Sequence, residues 1–252
     1  MTFEPVNHLK NKVAVIIGGN GAIGFAAARR LSKLGAKCVL IGRNATQKSD
    51  SQLNLLEGDG HLSLDASITD SEMLKTAAKS IEMKFGRCDI LINSAGFTKP
   101  VPAADLVGLS DELIDEIIQV NFRGVLASIR TFVPLLKNSG DGLIVNVSSI
   151  AGFTGSGSNL AYVAAKAGID MVSQSLAKAL APQIRVLCVS PGVVDTSFVP
   201  GRGAAFNEQA AASTPLKRVG NVEDIASAIE ACATTLRFAT GTKIVIDGGR
   251  HL

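Results

Sequence analysis

The sequence has no tryptophan and a single tyrosine, and aromatic residues make up only 4% of its 252 residues. Because 46% of the residues are nevertheless hydrophobic, we expect Ala, Val, Ile, Leu and Gly to fill the core. That composition is typical of parallel strands covered by helices on both faces. The chain also lacks a Pro- or Ser-rich linker and internal repeats, so we expect a single domain over residues 1–252.

Other absences exclude whole classes of function. The net charge is only +3 and the basic residues do not cluster, which argues against a nucleic-acid partner. No apolar run is long enough to span a bilayer, and the N-terminal MTFEPVNHLK lacks the apolar stretch of a signal peptide. We therefore expect a soluble, cytoplasmic protein without a membrane partner.

The cysteines and histidines show no spacing typical of a metal site, so we expect no metal. The four cysteines are far apart, and those in or beside apolar runs are expected to be reduced and buried. The histidines match no ligand pattern, and we expect them at the surface or near a terminus. These residues are Cys38, Cys88, Cys188 and Cys232, and His8, His61 and His251.

Apolar runs alternate with helical patterns along the chain. Strands are predicted at Lys12–Ile17, Lys37–Ile41, His61–Leu64, Cys88–Ile92, Leu143–Val147, Ile184–Val189 and Lys243–Ile246. Helices are predicted at Phe25–Leu34, Leu113–Leu136, Tyr162–Leu180 and Val222–Thr234. This alternation predicts an α/β fold of Rossmann type, with a doubly wound, mostly parallel sheet flanked by helices.

Two segments escape this pattern. Asn44–Gly60 is polar and short, and it is expected to form a small helix or a loop. Asp195–Pro215 is the longest stretch without strand character. Long irregular segments in compact domains often serve function, so we expect a substrate loop around residues 195–215.

A glycine-rich turn, Gly18-Gly19-Asn20-Gly21-Ala22-Ile23-Gly24, lies between the first predicted strand and a helix. Glycines let the backbone approach a pyrophosphate, and a helix N-terminus offers it free N–H groups and partial positive charge. The position between strand and helix favours a dinucleotide-binding site over a simple connection.

The residues that end the second strand indicate which dinucleotide is used. A carboxylate here would bind a ribose 2′-OH, but the sequence has Gly42 followed by Arg43. Gly42 would leave room for a 2′-phosphate, and Arg43 could pair with it. This favours NADP(H), with NAD(H) as an alternative in which Arg43 is merely a solvated residue after the strand.

Tyr162 and Lys166 lie four residues apart on a predicted helix and therefore share a face. The preceding strand ends at Ser148 and Ser149, at the edge of the sheet where ligands bind in open α/β folds.

Taken together, these motifs resemble the short-chain dehydrogenase/reductase family in its compact single-domain form. Further matches along the chain are Asp65, Asn93-Ser94-Ala95-Gly96, Asn121, Pro191-Gly192 with Thr196, and Asp247-Gly248-Gly249. The family usually has other residues at Ile17, Ala22 and Ser94.

The resemblance implies specific roles. Tyr162 would be the general acid/base, Lys166 would favour its phenolate, Ser149 would orient the substrate oxygen and Asn121 would hold a water linked to Lys166. The implied cofactor contacts are Gly18, Asn20, Gly21, Ile23, Gly24, Arg43, Asp65, Asn93, Ala95, Gly96, Tyr162, Lys166, Pro191, Gly192, Val194 and Thr196. Phe97, Phe153, Asn159 and Phe198 would line the substrate pocket, although the phenylalanines could equally pack the loops down.

The resemblance also implies a function and an assembly. The reaction would interconvert a carbonyl and a secondary alcohol by hydride transfer, on a substrate that the sequence does not specify. A non-catalytic NADP(H)-binding regulatory protein is the main alternative, and an epimerase or dehydratase a further one. A homotetramer, or a dimer, is implied through the helices Leu113–Leu136 and Tyr162–Leu180 and the C-terminal strand.

Overall fold

The structure, a computed structural model, describes residues 8–252, without the side chains of residues 48–50. The expectation drawn from the N-terminal ten residues falls mainly on residues 1–7, which lie outside the described part. Within it the strands are β1 (Val13–Ile17), β2 (Lys37–Gly42), β3 (Leu62–Asp65), β4 (Ile90–Asn93), β5 (Gly142–Val147), β6 (Ile184–Pro191) and β7 (Lys243–Ile246). Each corresponds to a predicted strand, with bounds that differ by at most a few residues.

The strands form one sheet in the order β3-β2-β1-β4-β5-β6-β7, and every neighbouring pair is parallel. The order reverses direction between β1 and β4, which creates the crevice where such sheets bind ligands. The predicted Rossmann-type, doubly wound α/β fold is confirmed.

Helices cover both faces of this sheet. They are α1 (Ala22–Lys33), α2 (Ser49–Leu53), α3 (Ser71–Phe85), α4 (Asp111–Ile118), α5 (Gly124–Asn138), α6 (Ala151–Thr154), α7 (Leu160–Leu180), α8 (Ala204–Ser213) and α9 (Val222–Thr234). α1 packs beside α9 on one face, and α3, α5 and α7 contribute to the core on the other.

Successive side chains of a strand point to opposite faces of the sheet, so alternate residues pack into the two core layers. Val13, Val15 and Ile17 of β1 join the cluster under α3, α5 and α7, whereas Ala14 and Ile16 join the cluster under α1 and α9. All five β1 residues are buried, which explains why the strand is a continuous apolar run.

The helices differ from the prediction in two places. The predicted helix Leu113–Leu136 is divided into α4 and α5 by a π-helix at Gln119–Arg123. Helix α3 was not predicted, although its signals are present: the Asp70 carboxylate accepts hydrogen bonds from the first-turn N–H groups, and Gly86 ends the helix with φ of 70°.

The two irregular segments contain short helices. Asn44–Gly60 forms a 3₁₀ turn at Thr46–Lys48 and then α2, in agreement with a small helix. Asp195–Pro215 contains α8, which sequence periodicity did not reveal because the helix lacks an apolar stripe.

All four cysteines are buried and free, as expected. Burial raises the pKa of Cys38 and of Cys188 to about 12 because it disfavours the thiolate. Along residues 8–252, no helix combines the length and the apolar character needed to cross a membrane.

A buried carboxylate joins β1 to β4. Asp89 is 1% exposed and accepts hydrogen bonds from the backbone N–H of Val13 at 2.9 Å and from the Lys12 ammonium at 3.0 Å. The Arg87 guanidinium donates a third at 3.0 Å. Removing the carboxylate would leave these donors without their partner at the start of two central strands.

We therefore expect Asp89→Ala to lower the free energy of unfolding by about 1.5 to 3 kcal/mol, the usual contribution of hydrogen bonds to a charged group, because Lys12 and Arg87 are partly exposed and can be solvated once the carboxylate is removed. Urea denaturation followed by circular dichroism measures this. The matched control is Asp141→Ala, whose exposed pair with Arg237 should contribute about 1 kcal/mol or less. Equal losses in both variants would contradict the anchoring role of Asp89.

Candidate active site

A cleft of about 1250 Å³ lies at the carboxyl ends of the strands. Most of the residues selected from the sequence line it, which places the predicted cofactor and catalytic groups in one continuous space. They are Gly18, Asn20, Gly21, Ile23, Arg43, Ala95, Gly96, Phe97, Ser149, Tyr162, Lys166, Pro191, Gly192, Val194, Thr196 and Phe198.

The turn after β1 can close only with glycine at two positions. Gly18 has φ of 79°, and a Cβ there would lie 2.6 Å from the backbone nitrogen of Ala95. A Cβ on Gly24 would lie 2.3 Å from the carbonyl oxygen of Gly18. Gly24 therefore lies beneath the turn, where the absence of a side chain lets the turn close, and it does not line the cleft.

The turn leads into an unblocked helix N-terminus. Gly21 is the N-cap of α1 and supplies no side-chain hydrogen bond, and the first turn of α1 contains no acidic residue. Since the first N–H groups of a helix have no intrahelical partner, they are available to an anion. The residues present at this end of the cleft fit the pyrophosphate of a dinucleotide.

The end of β2 differs from the expectation in one respect. A Cβ on Gly42 would lie 2.2 Å from Oδ1 of Asn20, so Asn20 fills the space that was expected to admit a 2′-phosphate. Nδ2 of Asn20 donates to the carbonyl oxygen of Arg43 at 3.0 Å. The Arg43 side chain itself is exposed at the cleft, where it can meet a phosphate from outside.

Tyr162 and Lys166 lie one turn apart on α7, both almost fully buried at 8% and 5% exposure. Nζ of Lys166 lies 5.5 Å from the centroid of the Tyr162 ring and donates to the carbonyl oxygen of Val147 at 2.8 Å. Because an ammonium has three N–H donors, two remain for other partners in the cleft.

Burial controls the titration of both groups. It raises the pKa of Tyr162 to about 12, against the opposing effects of a hydrogen bond with Ser149 and of the Arg202 charge. It lowers the pKa of Lys166 to about 8, while Cys188 and Asp170 act in the other direction. The positive charge that favours the phenolate here thus includes Arg202, a residue that no sequence motif marked.

The side chain of Asn121 joins the π-helix to the loop after β4. It is fully buried in the π-helix, where Nδ2 donates to the carbonyl oxygens of Phe97 at 2.6 Å and Ile117 at 2.9 Å. Its Oδ1 accepts from the backbone N–H of Phe97 at 3.3 Å. Both amide donors are used, and the side chain fixes the loop after β4. The role expected for Asn121 in holding a water stays a prediction.

Asn159 and Phe153, predicted to contact substrate, lie outside the lining of the cleft. Asn159 is the N-cap of α7: it accepts from the backbone N–H of Tyr162 at 2.8 Å and donates to the carbonyl oxygen of Lys99 at 2.8 Å. Phe153 packs edge-on against His251, with Nζ of Lys243 4.5 Å from its ring centroid. Asn159 therefore positions the catalytic helix, and Phe153 packs its loop down.

Two predicted cofactor contacts also have other partners. The exposed carboxylate of Asp65 accepts hydrogen bonds from the backbone and the hydroxyl of Thr46, which lower its pKa. Asn93 is 2% exposed, and its Nδ2 donates to Oδ1 of Asn146 at 2.8 Å, which ties β4 to β5 beneath the cleft. In this structure neither side chain reaches the lining.

Several lining residues were not selected from the sequence. They include Ala66–Thr69 after β3, Glu116 of α4, Ser156–Ser158, and the group Arg202, Asn207, Ser213, Arg250 and His251. Only fold topology brings the C-terminal Arg250 and His251 to this edge, although His251 had been expected merely to lie near a terminus. Within the described residues, no three His, Cys, Asp or Glu side chains are grouped as a metal site.

Comparison with known proteins places this geometry in a family. The family model described as "Enoyl-(Acyl carrier protein) reductase" matches residues 18–251. The 3-oxoacyl-(acyl-carrier-protein) reductase of Thermotoga maritima is 34% identical, over 96% of this chain and 98% of its own. The 3alpha-hydroxysteroid dehydrogenase of Mediterraneibacter gnavus is 31% identical, over 95% and 97%.

A solved structure agrees with these sequence comparisons. The short-chain dehydrogenase/reductase from Brucella melitensis superposes with a TM-score of 0.89 at 28% identity, over 97% of this chain and 98% of that one. The chain belongs to the short-chain dehydrogenase/reductase family. It is accordingly an oxidoreductase of the class that acts on an alcohol or carbonyl group.

The single tyrosine makes the titration of Tyr162 directly measurable. Because burial raises its pKa to about 12, we expect the folded protein without cofactor to show almost no phenolate absorbance at pH 10. In denaturant the same residue should be about half ionised at that pH, since an unperturbed tyrosine has a pKa of about 10. Ultraviolet difference spectroscopy measures both states, and half ionisation of the folded protein at pH 10 would contradict the structure.

Proposed function

We propose that this protein is an NADP(H)-dependent carbonyl reductase or secondary-alcohol dehydrogenase in which Tyr162 is the general acid/base. The observation that carries the proposal is the burial of Tyr162 beside Lys166 and Ser149, in a cleft that continues to an unblocked helix N-terminus. Residues 1–252 are taken as one domain, with the segment around 195–215 as its substrate loop.

When bound, NADP(H) supplies or accepts the hydride. In reduction, the Tyr162 hydroxyl donates a proton to the carbonyl oxygen as negative charge develops there. Ser149 donates a hydrogen bond to the same oxygen and so orients it. In oxidation, Tyr162 must accept the proton as a phenolate, which needs its raised pKa to be lowered by positive charge.

Lys166 and Arg202 supply that charge from the protein. The Lys166 ammonium is held by the Val147 carbonyl oxygen, and its two remaining N–H groups would hold the nicotinamide ribose. With a pKa of about 8, Lys166 is mostly charged at neutral pH. Asn159 contributes by capping α7, because the cap fixes the first turn of the helix on which Tyr162 lies.

The alternative of a non-catalytic regulatory protein is less well supported. A protein that only binds NADP(H) has no chemical need for a buried tyrosine, lysine and serine at one end of the cleft. The two relatives named above act on a carbonyl or alcohol, by their names. An acyl thioester and a steroid are therefore both reasonable members of a first substrate panel.

Tyr162→Phe should reduce turnover by about 10² to 10⁴-fold, the usual contribution of a general acid, because the variant loses only the phenolic hydroxyl. The measurement is NADPH and NADH oxidation across ketones, aldehydes, diketones, quinones and acyl thioesters. Cofactor affinity, read from NADPH fluorescence, should be nearly unchanged and serves as the control. Turnover by the variant close to that of the wild type would exclude Tyr162 as the acid/base.

We propose NADP(H) over NAD(H) because the exposed Arg43 lies at the cleft where the second strand ends, with no carboxylate at Gly42 or Asn44. Arg43→Ala should weaken NADPH binding by roughly ten- to a hundredfold, the value of one charge-assisted hydrogen bond, and leave NADH nearly unaffected. Arg43→Lys keeps the charge and should lose less. Equal weakening of both cofactors would mean that Arg43 does not contact the 2′-phosphate.

The homotetramer, or dimer, remains part of the proposal. Met171 of α7 is 63% exposed, and β7 is a half-buried edge strand, so both offer surface for a second copy. A cytoplasmic location is also proposed, supported by four free, buried cysteines, since reduced thiols are typical of reducing compartments.

A further inference from the structure

The cleft is lined by four basic side chains and one acidic one. The cations are Arg43, Lys166, Arg202 and Arg250, and the acid is Glu116. Arg43 follows β2 at the adenosine end, and Lys166 belongs to the catalytic pair. The proposed reaction uses Arg202 only as a positive charge near Tyr162, and it gives Arg250 no task.

Arg202 is half-buried and lacks an anionic partner among residues 8–252. Its guanidinium carbon lies 4.4 Å from the centroid of the Phe206 ring, a cation–π contact that fixes the side chain without neutralising it. Among the described side chains no carboxylate forms an ion pair with Arg202, and none contributes to the shift of its pKa.

Arg250 is held beside the same part of the cleft. Its Nη1 donates to the carbonyl oxygen of Ala210 at 2.9 Å and to Oγ of Ser213 at 2.8 Å. These are neutral acceptors, so they position the guanidinium and leave its charge in place. Burial lowers the pKa of Arg202, Tyr162 opposes this shift, and the charge of Arg250 adds to it. The two cations therefore repel each other across a partly desolvated space.

Arg202 lies close to the reacting end of the cleft. It follows Phe198 by four residues, and the Phe198 ring centroid lies 6.1 Å from that of Tyr162. Arg202 and Tyr162 also affect each other's pKa, so a substrate with its carbonyl at Tyr162 and Ser149 would share this part of the cleft with the guanidinium group. A planar guanidinium binds carboxylate or phosphate oxygens in pairs, and it does so most strongly where water is partly excluded.

We propose that Arg202 and Arg250 bind an anionic group of the substrate, so that the preferred substrate is a carbonyl compound carrying a carboxylate or phosphate rather than a neutral ketone. This inference rests on the proposed reductase function. Arg202 makes the closer contact, and Arg250 adds charge from its fixed position at the end of α8.

The test compares acids with their own neutral esters. The substrates are 3-oxobutanoate, 4-oxopentanoate and 5-oxohexanoate, each against its methyl ester, with kcat/KM measured at saturating NADPH. At least one chain length should favour the acid by about ten- to a hundredfold, the strength of a charge-assisted hydrogen bond. The best length reports the separation between the carbonyl and the guanidinium groups.

Arg202→Gln should remove most of that preference, and Arg202→Lys should retain part of it. The acid-to-ester ratio is the readout because Arg202 also favours the Tyr162 phenolate, and that effect acts on both members of a pair. The matched control is Arg29→Gln: Arg29 is exposed on α1 outside the cleft lining, so the ratio should stay at the wild-type value.

In the phosphate arm of the test, kcat/KM for dihydroxyacetone phosphate is compared with that for dihydroxyacetone. Comparison of the two arms identifies whether a carboxylate or a phosphate is preferred. A preference for the anion in either arm that Arg202→Gln reduces supports the proposal. Equal kcat/KM for anion and neutral partner in both arms overturns it, even while turnover that depends on Tyr162 upholds the reductase function. If no substrate pair is reduced, the NADPH-bound protein is titrated with hexanoate and with hexanamide in a calorimeter. Equal affinities for the two compounds overturn the proposal. Tighter binding of hexanoate that Arg202→Gln abolishes supports it.

Discussion

Every strand of the sheet runs in the same direction, and the rest of the structure depends on this. Parallel pairing brings the ends of β1, β4, β5 and β6 into register, with Ile17 opposite Asn93 and Asn93 opposite Asn146. The loops that follow these strands must therefore meet at one edge. Residues from widely separated parts of the chain form one cleft for that reason. No local contact between Gly18 and Tyr162 is needed, because the register of the backbone ladder positions both.

Burial shifts the pKa values of Tyr162 and Lys166 in opposite directions, and in both cases it favours the neutral form. It favours the neutral phenol of Tyr162 and the neutral amine of Lys166, whereas the proposed oxidation reaction would need phenolate and ammonium. The fold counters this with charge and hydrogen bonds placed around the pair: the Ser149 hydroxyl, the Arg202 guanidinium and the Asp170 carboxylate. The ionisation of Tyr162 and Lys166 thus depends on side chains from the loop after β5, from residues 195–215 and from the next turn of α7, as well as on the Tyr-Lys spacing.

The strands were predictable because burial on both faces makes them continuous apolar runs. The glycine turn was predictable because the backbone comes so close at Gly18 and Gly24 that a larger side chain would not fit. Side-chain tasks were less predictable. Asn121 and Asn159 carry hydrogen bonds to backbone groups that only the folded loops bring near, so their positions in a motif did not reveal a structural use. Arg202 and Arg250 belong to no periodic pattern, and 47 residues separate them in the sequence. Their proximity follows from α8 and β7 folding towards the same edge.

The π-helix at Gln119–Arg123 separates the geometry of the site from the packing of the core. A π-helix contains one residue more than an α-helix of equal turns. Deleting a single residue there would give an α-helix of the same number of turns, so that Phe132 and Leu136 of α5 would still face the core. The deletion would instead remove the local geometry that directs the Asn121 side chain to the carbonyl oxygens of Phe97 and Ile117. The extra residue therefore serves the loop after β4 and not the packing of α5.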